Sequence, residues 1–295
     1  MKAAPFDYFR PASLQEAAER LSVNSDDGAM ILAGGQSLVP MMALRVAYAS
    51  ELIDLNAIKG IDTVSRSERG IAIPPLVRHA DFHSSDVAPG PLGHVLATVS
   101  RHIAHYPIRQ RGTFCGSLAH ADPSSEWCLI AAALDAEIEL LSVSGRRRIK
   151  AKDWWAGVME TVREPEEIIV AVHLPLLPDD IQWGFYEFNR RAGDFALGMA
   201  FCCYRLTEGL ITKPHVALGG IEEYPRRIPE AEAVLEGATP SAEVFGEAAR
   251  TASKAVNPLE DPATPAAYRR DLSATVVRRA LTSATQTKSS PALSA

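Results

Sequence analysis

The apolar positions of this chain come in short unbroken runs separated by stretches of helical spacing. "AMILA", residues 29–33, is such a run; it stops at Gly34-Gly35 and so predicts a short buried strand feeding a turn. Before it, "SLQEAAERL" has Ser13 followed by Glu16, the capping-box pattern, and predicts a helix over about 14–22. After it, "SLVPMMALRV" predicts a helix with Ser37 near its cap. Pro40 falls in the first turn, where an N–H would lack a helical partner anyway. "ELIDLN" predicts a second strand. The first block, 1–57, thus reads strand, Gly-Gly turn, helix, strand.

A second block, 58–178, starts with a strand at "RGIAIPPL" and a helix over "PLGHVLATVSRHIAHY". The segment "RQRGTFCGSLAHADPSSEW", 109–127, reads as a loop, and a helix follows near 124–134. "AEIELLSV" and "RRRIKAKD" predict a hairpin turning at Ser144-Gly145, and "EEIIVAVHLPL" a further strand. Pro175 and Pro178 place a boundary at about 176–182. The third block, 179–284, has long strand-like runs in "IQWGFYEFNRR", "DFALGMAFCCYRL" and "LITKPHVALGGI", then helices at about 229–236, 241–255 and 265–282. The small, polar tail 285–295 is expected to be disordered.

At 295 residues, 47% apolar and 22% charged, the chain can bury two or three compact units. A net charge of −6 argues against general nucleic-acid binding, and the one dense basic run, "GRRRIK", reads as a solvated hairpin tip. The four cysteines form no C-x-x-C pair, and the adjacent Cys202 and Cys203 should face opposite sides of a strand, so no metal-ligand set is expected. Few cysteines, no signal-peptide core and no run near the roughly 18 apolar residues of a membrane span suit a cytoplasmic protein.

Two glycine-bearing stretches carry the candidate chemistry. "AGGQS" ends a strand and opens a helix; its glycines allow positive φ and close approach of a ligand to backbone N–H groups, which suits phosphate. "GTFCGS", 112–117, repeats that chemistry with Gly112, Gly116 and the small donors Thr113 and Ser117. Neither is a P-loop, which needs a lysine, nor a G-x-G-x-x-G fingerprint. Ser117 lacks a G-x-S-x-G elbow, so hydrolase chemistry is not indicated by His120 and Asp122. Two such loops could clamp one pyrophosphate from two sides. Met41 and Met42 read as core, or as a soft surface against a ligand or partner, and Trp154-Trp155 as core anchors of a short helix.

"ILAGGQSLVPMMALR" and "IRQRGTFCGSLAHADPSSEW", with "FDYFRPASLQEA", "LIDLNAIKGI" and "RRAGDFAL", resemble the medium subunit of the molybdenum hydroxylases, the relatives of xanthine dehydrogenase and carbon monoxide dehydrogenase. The resemblance covers about residues 1–285. It implies an α+β fold: a two-part FAD-binding domain of the vanillyl-alcohol-oxidase/PCMH type, then a C-terminal domain of antiparallel sheet plus helices. It implies that FAD is held by Leu32, Ala33, Gly34, Gly35, Gln36, Ser37 and Leu38, and by Thr113, Phe114, Cys115, Gly116 and Ser117. His120 and Asp122 fall in the same loop, Glu126 where relatives place an acid on a ribose hydroxyl, Ile103 and Ile169 where apolar residues line the cofactor, and Phe195 where an aromatic approaches the flavin. Three positions depart from the pattern. Cys115 stands where glycine is usual, Pro74-Pro75 where Gly-Ala is common, and Glu187 near a position that is lysine in some relatives. Only Cys115 and Cys128 lie where some members insert four cysteines for a [4Fe–4S] cluster, so none is expected.

The implied function is electron transfer. A large partner subunit would carry molybdopterin and hydroxylate the substrate, and a small one two [2Fe–2S] clusters, in a dimer of heterotrimers. The FAD of this chain would pass electrons to an external acceptor. "AGGQSL" with "GSLAHADP" looks more like members acting on N-heterocycles or aldehydes than like the carbon monoxide enzymes. Two alternatives remain: a self-sufficient FAD-dependent oxidase or dehydrogenase, and a flavin-free scaffold subunit.

Overall fold

Strand β1 (Asp7–Phe9) pairs in parallel with β3 (Glu51–Asp54), and β3 with β2 (Met30–Leu32), giving a three-stranded sheet in the order β1-β3-β2. The computed structural model describes residues 2–286, so the expected disordered tail lies, from residue 287 on, outside the described residues. Helix α1 (Leu14–Asn24) joins β1 to β2, and the Ser13 side chain caps it by accepting from the Glu16 N–H at 3.1 Å. Helix α2 (Leu38–Ala43) follows the Gly-Gly turn. It stops short of the apolar run that predicted it because Arg45 takes a left-handed φ of 61°.

The second block holds β4 (Ser65–Arg66), β5 (Gly70–Ile73), α3 (Gly90–Ser100), α4 (Tyr106–Arg109), α5 (Phe114–His120) and α6 (Glu126–Ala133). It continues with β6 (Glu137–Ser142), β7 (Gly145–Lys150), β8 (Trp155–Gly157), β9 (Glu160–Thr161) and β10 (Ile168–Pro175). Five of these strands form an antiparallel sheet, β4-β5-β10-β6-β7. Two expectations need correction. The single helix over "PLGHVLATVSRHIAHY" is two, α3 and α4, because Ala104 at φ 41° breaks the run. The 109–127 "loop" contains α5 and the start of α6. Thr113 caps α5 by accepting from the Gly116 N–H at 3.0 Å, and Ala121, left-handed at φ 55°, ends it.

"GRRRIK" is the exposed strand β7 rather than a tip, and its charges are paired: Arg146 and Arg148 with Glu139, Arg147 with Glu167. Trp154 is fully buried, and its indole N–H donates to the Leu118 carbonyl at 3.1 Å.

The third block is an antiparallel sheet of β11 (Gln182–Phe188), β12 (Gly198–Thr207), β13 (Leu210–Gly219) and β14 (Arg226–Arg227), followed by α7 (Pro229–Leu235), α8 (Ala242–Ala255) and α9 (Ala266–Ala284). Its two faces serve different cores. Cys202 packs with Phe245 and Val276 of the helices behind the sheet, whereas its neighbour Cys203 joins Trp127 and Leu129 in the core of the second block. The alternation of a strand thus splits the cysteine pair as expected. Helix α6 is buried on every side, which is why it shows no polar face.

Candidate functional site

A cleft of about 360 Å³ opens at the seam between the three-stranded and five-stranded sheets. Both glycine stretches line it. They touch there because neither has a side chain at the contact. A Cβ on Gly34 would overlap the Arg111 carbonyl and lie 2.8 Å from the Gly112 Cα, and a Cβ on Gly112 would lie 2.5 Å from the His79 Nε2. Gly35 sits at φ 71°, where a side chain is strained.

The carbonyls of the first loop are occupied from within. Asn56 Nδ2 donates to Ala33 O at 2.8 Å, Gln36 Nε2 to Gly34 O at 3.2 Å, Val39 N to Gly35 O at 3.0 Å and Met41 N to Ser37 O at 3.1 Å. What this loop has left to offer a ligand is N–H. The second loop is stitched to residues 77–79: Phe114 N donates to Val77 O at 3.3 Å, and His79 N to Gly112 O at 2.9 Å.

Arg78 ties the two loops together. Its Nη1 donates to Arg111 O at 2.5 Å and its Nη2 to Asn56 Oδ1 at 2.6 Å, the same Asn56 that holds Ala33. Burial and the neighbouring Arg111 pull its pKa down from the usual guanidinium value. Arg163, largely buried in the cleft wall, donates through Nη1 to the carbonyls of Glu164, Pro165 and Glu167. Arg163 shares its wall with the Glu167 carboxylate, while Arg78 adds positive charge behind the glycine loops, where it would favour an anion.

Of the residues singled out in the sequence, Leu32 through Leu38, Thr113, Cys115, Gly116, Ser117, His120 and Ile169 meet at this cleft. Cys115 fits there because α5 gives it an ordinary helical backbone and its thiol turns inward, donating to Ile73 O at 3.3 Å. Burial pushes that thiol's pKa up, so it stays protonated. Five others stand elsewhere. Phe114 and Ile103 are core residues: Phe114 packs at a tilt against Phe82 and Trp127, and Ile103 joins the same cluster. Asp122 is used locally, its Oδ1 accepting from the Ser124 N–H at 2.8 Å. Phe195 is 76% exposed on the loop after β11. Glu126 is buried at the start of α6 beside Glu187, outside the cleft wall.

Glu187 is fully buried at its side chain. Its Oε1 accepts from Asn189 at 2.9 Å, and its Oε2, 3.7 Å from His102 Nδ1, has no hydrogen-bond donor among the described residues. Burial, then the Glu187 charge close by, raises the Glu126 carboxyl, and burial raises that of Glu187.

The cleft also recruits His79 and Arg163, which local patterns could not mark, together with Pro75 and Met41. Met41 had two readings in the sequence, and the structure splits the pair: Met42 is core, Met41 lines the cleft. His79 sits in "VRHADF", which carries no motif, and its partner Trp127 is 48 residues away.

Residues 4–177 match the family model of the FAD binding domain in molybdopterin dehydrogenase, and residues 183–284 that of the CO dehydrogenase flavoprotein C-terminal domain. The chain is 37% identical over 284 residues to the nicotine 6-hydroxylase medium subunit of Paenarthrobacter nicotinovorans, covering 96% of this chain and 99% of that one. It is 34% identical over 269 residues to the glyceraldehyde dehydrogenase medium chain of Sulfolobus acidocaldarius, covering 90% and 94%. Among solved structures, a chain of quinoline 2-oxidoreductase from Pseudomonas putida 86 superposes with a TM-score of 0.89 at 33% identity, covering 97% of this chain and 99% of that one. The chain therefore belongs to the FAD-binding medium subunits of the molybdenum hydroxylases, and it is a component of an oxidoreductase.

Proposed function

We propose that this chain holds FAD in the cleft between its two glycine loops and acts as the electron-transfer subunit of a heteromeric molybdenum hydroxylase. The observation that carries the site is the side-chain-free contact of Gly34 with Gly112, framed by Arg78 and backed by His79. That arrangement fits a pyrophosphate: free N–H donors, room for close approach, and positive charge nearby. The cleft volume lies in the range of cofactor pockets, and its remaining wall is mostly apolar, with Leu32, Leu38, Leu55, Ile168 and Ile169.

In this reading residues 33–37 and 113–117 bind the two phosphates, and the blocks 1–57 and 58–178 form the two halves of the FAD-binding domain, followed by a C-terminal domain over 179–284. Leu32, Leu38, His120 and Ile169 complete the binding wall. Glu126, Asp122, Ile103, Phe114 and Phe195, which the resemblance also assigns to the cofactor, lie outside this cleft wall. When bound, FAD supplies the redox chemistry, receiving electrons from [2Fe–2S] clusters of a small partner subunit and delivering them to an external acceptor. The protein's part is to bind and orient: Arg78 fixes the loop spacing, and the glycines admit the phosphates.

Substrate hydroxylation belongs to the molybdopterin of a large partner subunit, and the three chains assemble as a dimer of heterotrimers in the cytoplasm. Relatives named for nicotine and quinoline support an N-heterocyclic substrate; the glyceraldehyde enzyme keeps aldehydes open. No helix among the described residues is long and apolar enough to cross a membrane.

The test is the absorbance spectrum of the full chain, purified alone and with co-expressed partner subunits, with the released flavin identified. FAD in both samples, with iron–sulfur absorbance only in the second, supports the reading. Substrate-driven bleaching of the chain alone points instead to a self-sufficient oxidase, and absence of flavin from both samples to a scaffold.

A further inference from the structure

His79 is a buried histidine with one nitrogen committed and one left over. Its Nδ1 lies 2.9 Å from the indole Nε1 of Trp127, and both residues are buried. An indole nitrogen can only donate. Nδ1 must therefore be the unprotonated acceptor, which leaves the proton of a neutral ring on Nε2. Burial, then the nearby Arg78 and Arg109, drives the imidazole pKa down to about 3, so the ring stays neutral across the working range. The tautomer is fixed by the core. Trp127 is held by Phe82 at 4.9 Å and Phe114 at 4.8 Å between ring centroids.

The Nε2–H edge faces the contact of the two glycine loops. It lies 2.5 Å from where a Gly112 Cβ would be, and His79 lines the cleft with Gly34, Gly112 and Thr113. No acceptor among the described residues takes this N–H. The backbone N–H of the same residue is spent on Gly112 O at 2.9 Å, which fixes the ring's height against the loop. A neutral donor has a use beside two arginines. It adds a directed hydrogen bond without adding a third positive charge that would have to be desolvated.

We propose that His79, locked as its Nε2–H tautomer by Trp127, donates a hydrogen bond to the pyrophosphate of FAD and is a positioning residue for the cofactor. The inference rests on the reading that the cleft binds FAD. It adds a side-chain donor, and the core indole that orients it, to a cradle otherwise made of backbone.

The experiment uses the full chain stripped of flavin, titrated with FAD, with ADP and with riboflavin. ADP carries the pyrophosphate without the flavin, and riboflavin the flavin without phosphate. His79→Phe keeps a ring but loses the donor. It should weaken FAD and ADP roughly 10- to 100-fold, the worth of a hydrogen bond to a charged group, and leave riboflavin unchanged. His79→Gln, which restores an amide donor, should recover part of the loss.

Because Phe at this position also orphans the Trp127 N–H, the wild-type ring is read directly by 15N NMR. The expected result is a protonated Nε2 and bare Nδ1 from pH 6 to 8, with the Nε2–H proton moving downfield on addition of ADP. An Nδ1–H tautomer, an imidazolium near neutral pH, or an Nε2–H signal indifferent to ADP overturns the proposal. So does His79→Phe with wild-type affinity for FAD while the wild type binds normally; that result leaves the flavin reading standing. A wild-type chain that binds neither FAD nor ADP overturns both.

Discussion

Gly34 shows how one missing carbon sets a site. Its absent Cβ is the space occupied by the Arg111 carbonyl and the Gly112 Cα, so Gly34→Ala must wedge the loops apart. We expect a stability loss of about 1–3 kcal/mol from overpacking, and FAD affinity reduced by at least about tenfold. Gly60→Ala is the control. It sits at φ 79° in open space, so it should cost about 1–2 kcal/mol of backbone strain and leave FAD binding alone. Equal FAD affinity for Gly34→Ala and wild type, by fluorescence titration, would remove the contact from the binding site. Arg78→Lys tests the clamp. An ammonium cannot span Asn56 Oδ1 and Arg111 O as the guanidinium fork does, so FAD affinity should fall several-fold, by roughly 1 kcal/mol. An unchanged titration would show that the loops hold their spacing without it. At this scale the glycines and small hydroxyls of the cradle could be read from the sequence because their chemistry is local. His79 and Arg78 could not, because what makes them matter is a partner far along the chain: Trp127 for His79, Asn56 and Arg111 for Arg78.

Among elements, the strands and the long helices follow from periodicity, while short elements defined by their caps do not. Helix α5 is seven residues with a glycine inside it, poor helical material, and it exists because Thr113 caps it and Phe114 and Leu118 are buried. Strand β1 is mostly exposed and three residues long, so no alternation marks it; its parallel pairing with β3 does. Elements also meet where sequence gives no hint, and the clearest case is Glu126 of α6 against Glu187 of β11. Burial first, then mutual repulsion, pushes Glu126 up to about 8, and burial raises Glu187 to about 7. The groups facing them are Asp122, Arg109, Asn189 and His102, whose own pKa is lowered by burial. Both folded-state values lie above the unfolded carboxyl value of 4.5, so the pair stabilises fully below about pH 4.5, and that stability is lost as pH rises through 7 to 8. Chemical denaturation should show it falling by about 1–3 kcal/mol between pH 5 and 9. Glu187→Gln, which cannot ionise, should flatten that slope and be the more stable protein at pH 8.5. A slope equal in variant and wild type would mean that the pair is solvated rather than buried.

At the scale of the whole molecule, the cleft lies on the seam that the fold is least equipped to close. The three-stranded sheet has strands of three, three and four residues. Its core continues into the second block through Ala17, Leu21 and Ile53 packed with Leu141, Ile168 and Val170. That shared cluster sits on one side of the cleft, and the Gly34–Gly112 contact with its Arg78 clamp closes the loop end. The third block draws on different cores, through the two faces of β12, and is tied to the second by the all-buried α6. A ligand lying in the seam touches both sheets at once, so its binding energy appears as cohesion between the first block and the rest. At a free FAD concentration one hundred times Kd the chain should gain about 2.7 kcal/mol, and the gain should be spatially uneven. Limited proteolysis and hydrogen exchange should show residues 1–57 strongly protected by FAD, and β11–β13 with α8 and α9 nearly unaffected. Riboflavin, which lacks the phosphates, should protect the first block far less if the loops that join the sheets hold the phosphates as proposed. Uniform protection along the chain would place the ligand's contacts elsewhere and detach the two glycine loops from the role their geometry supports.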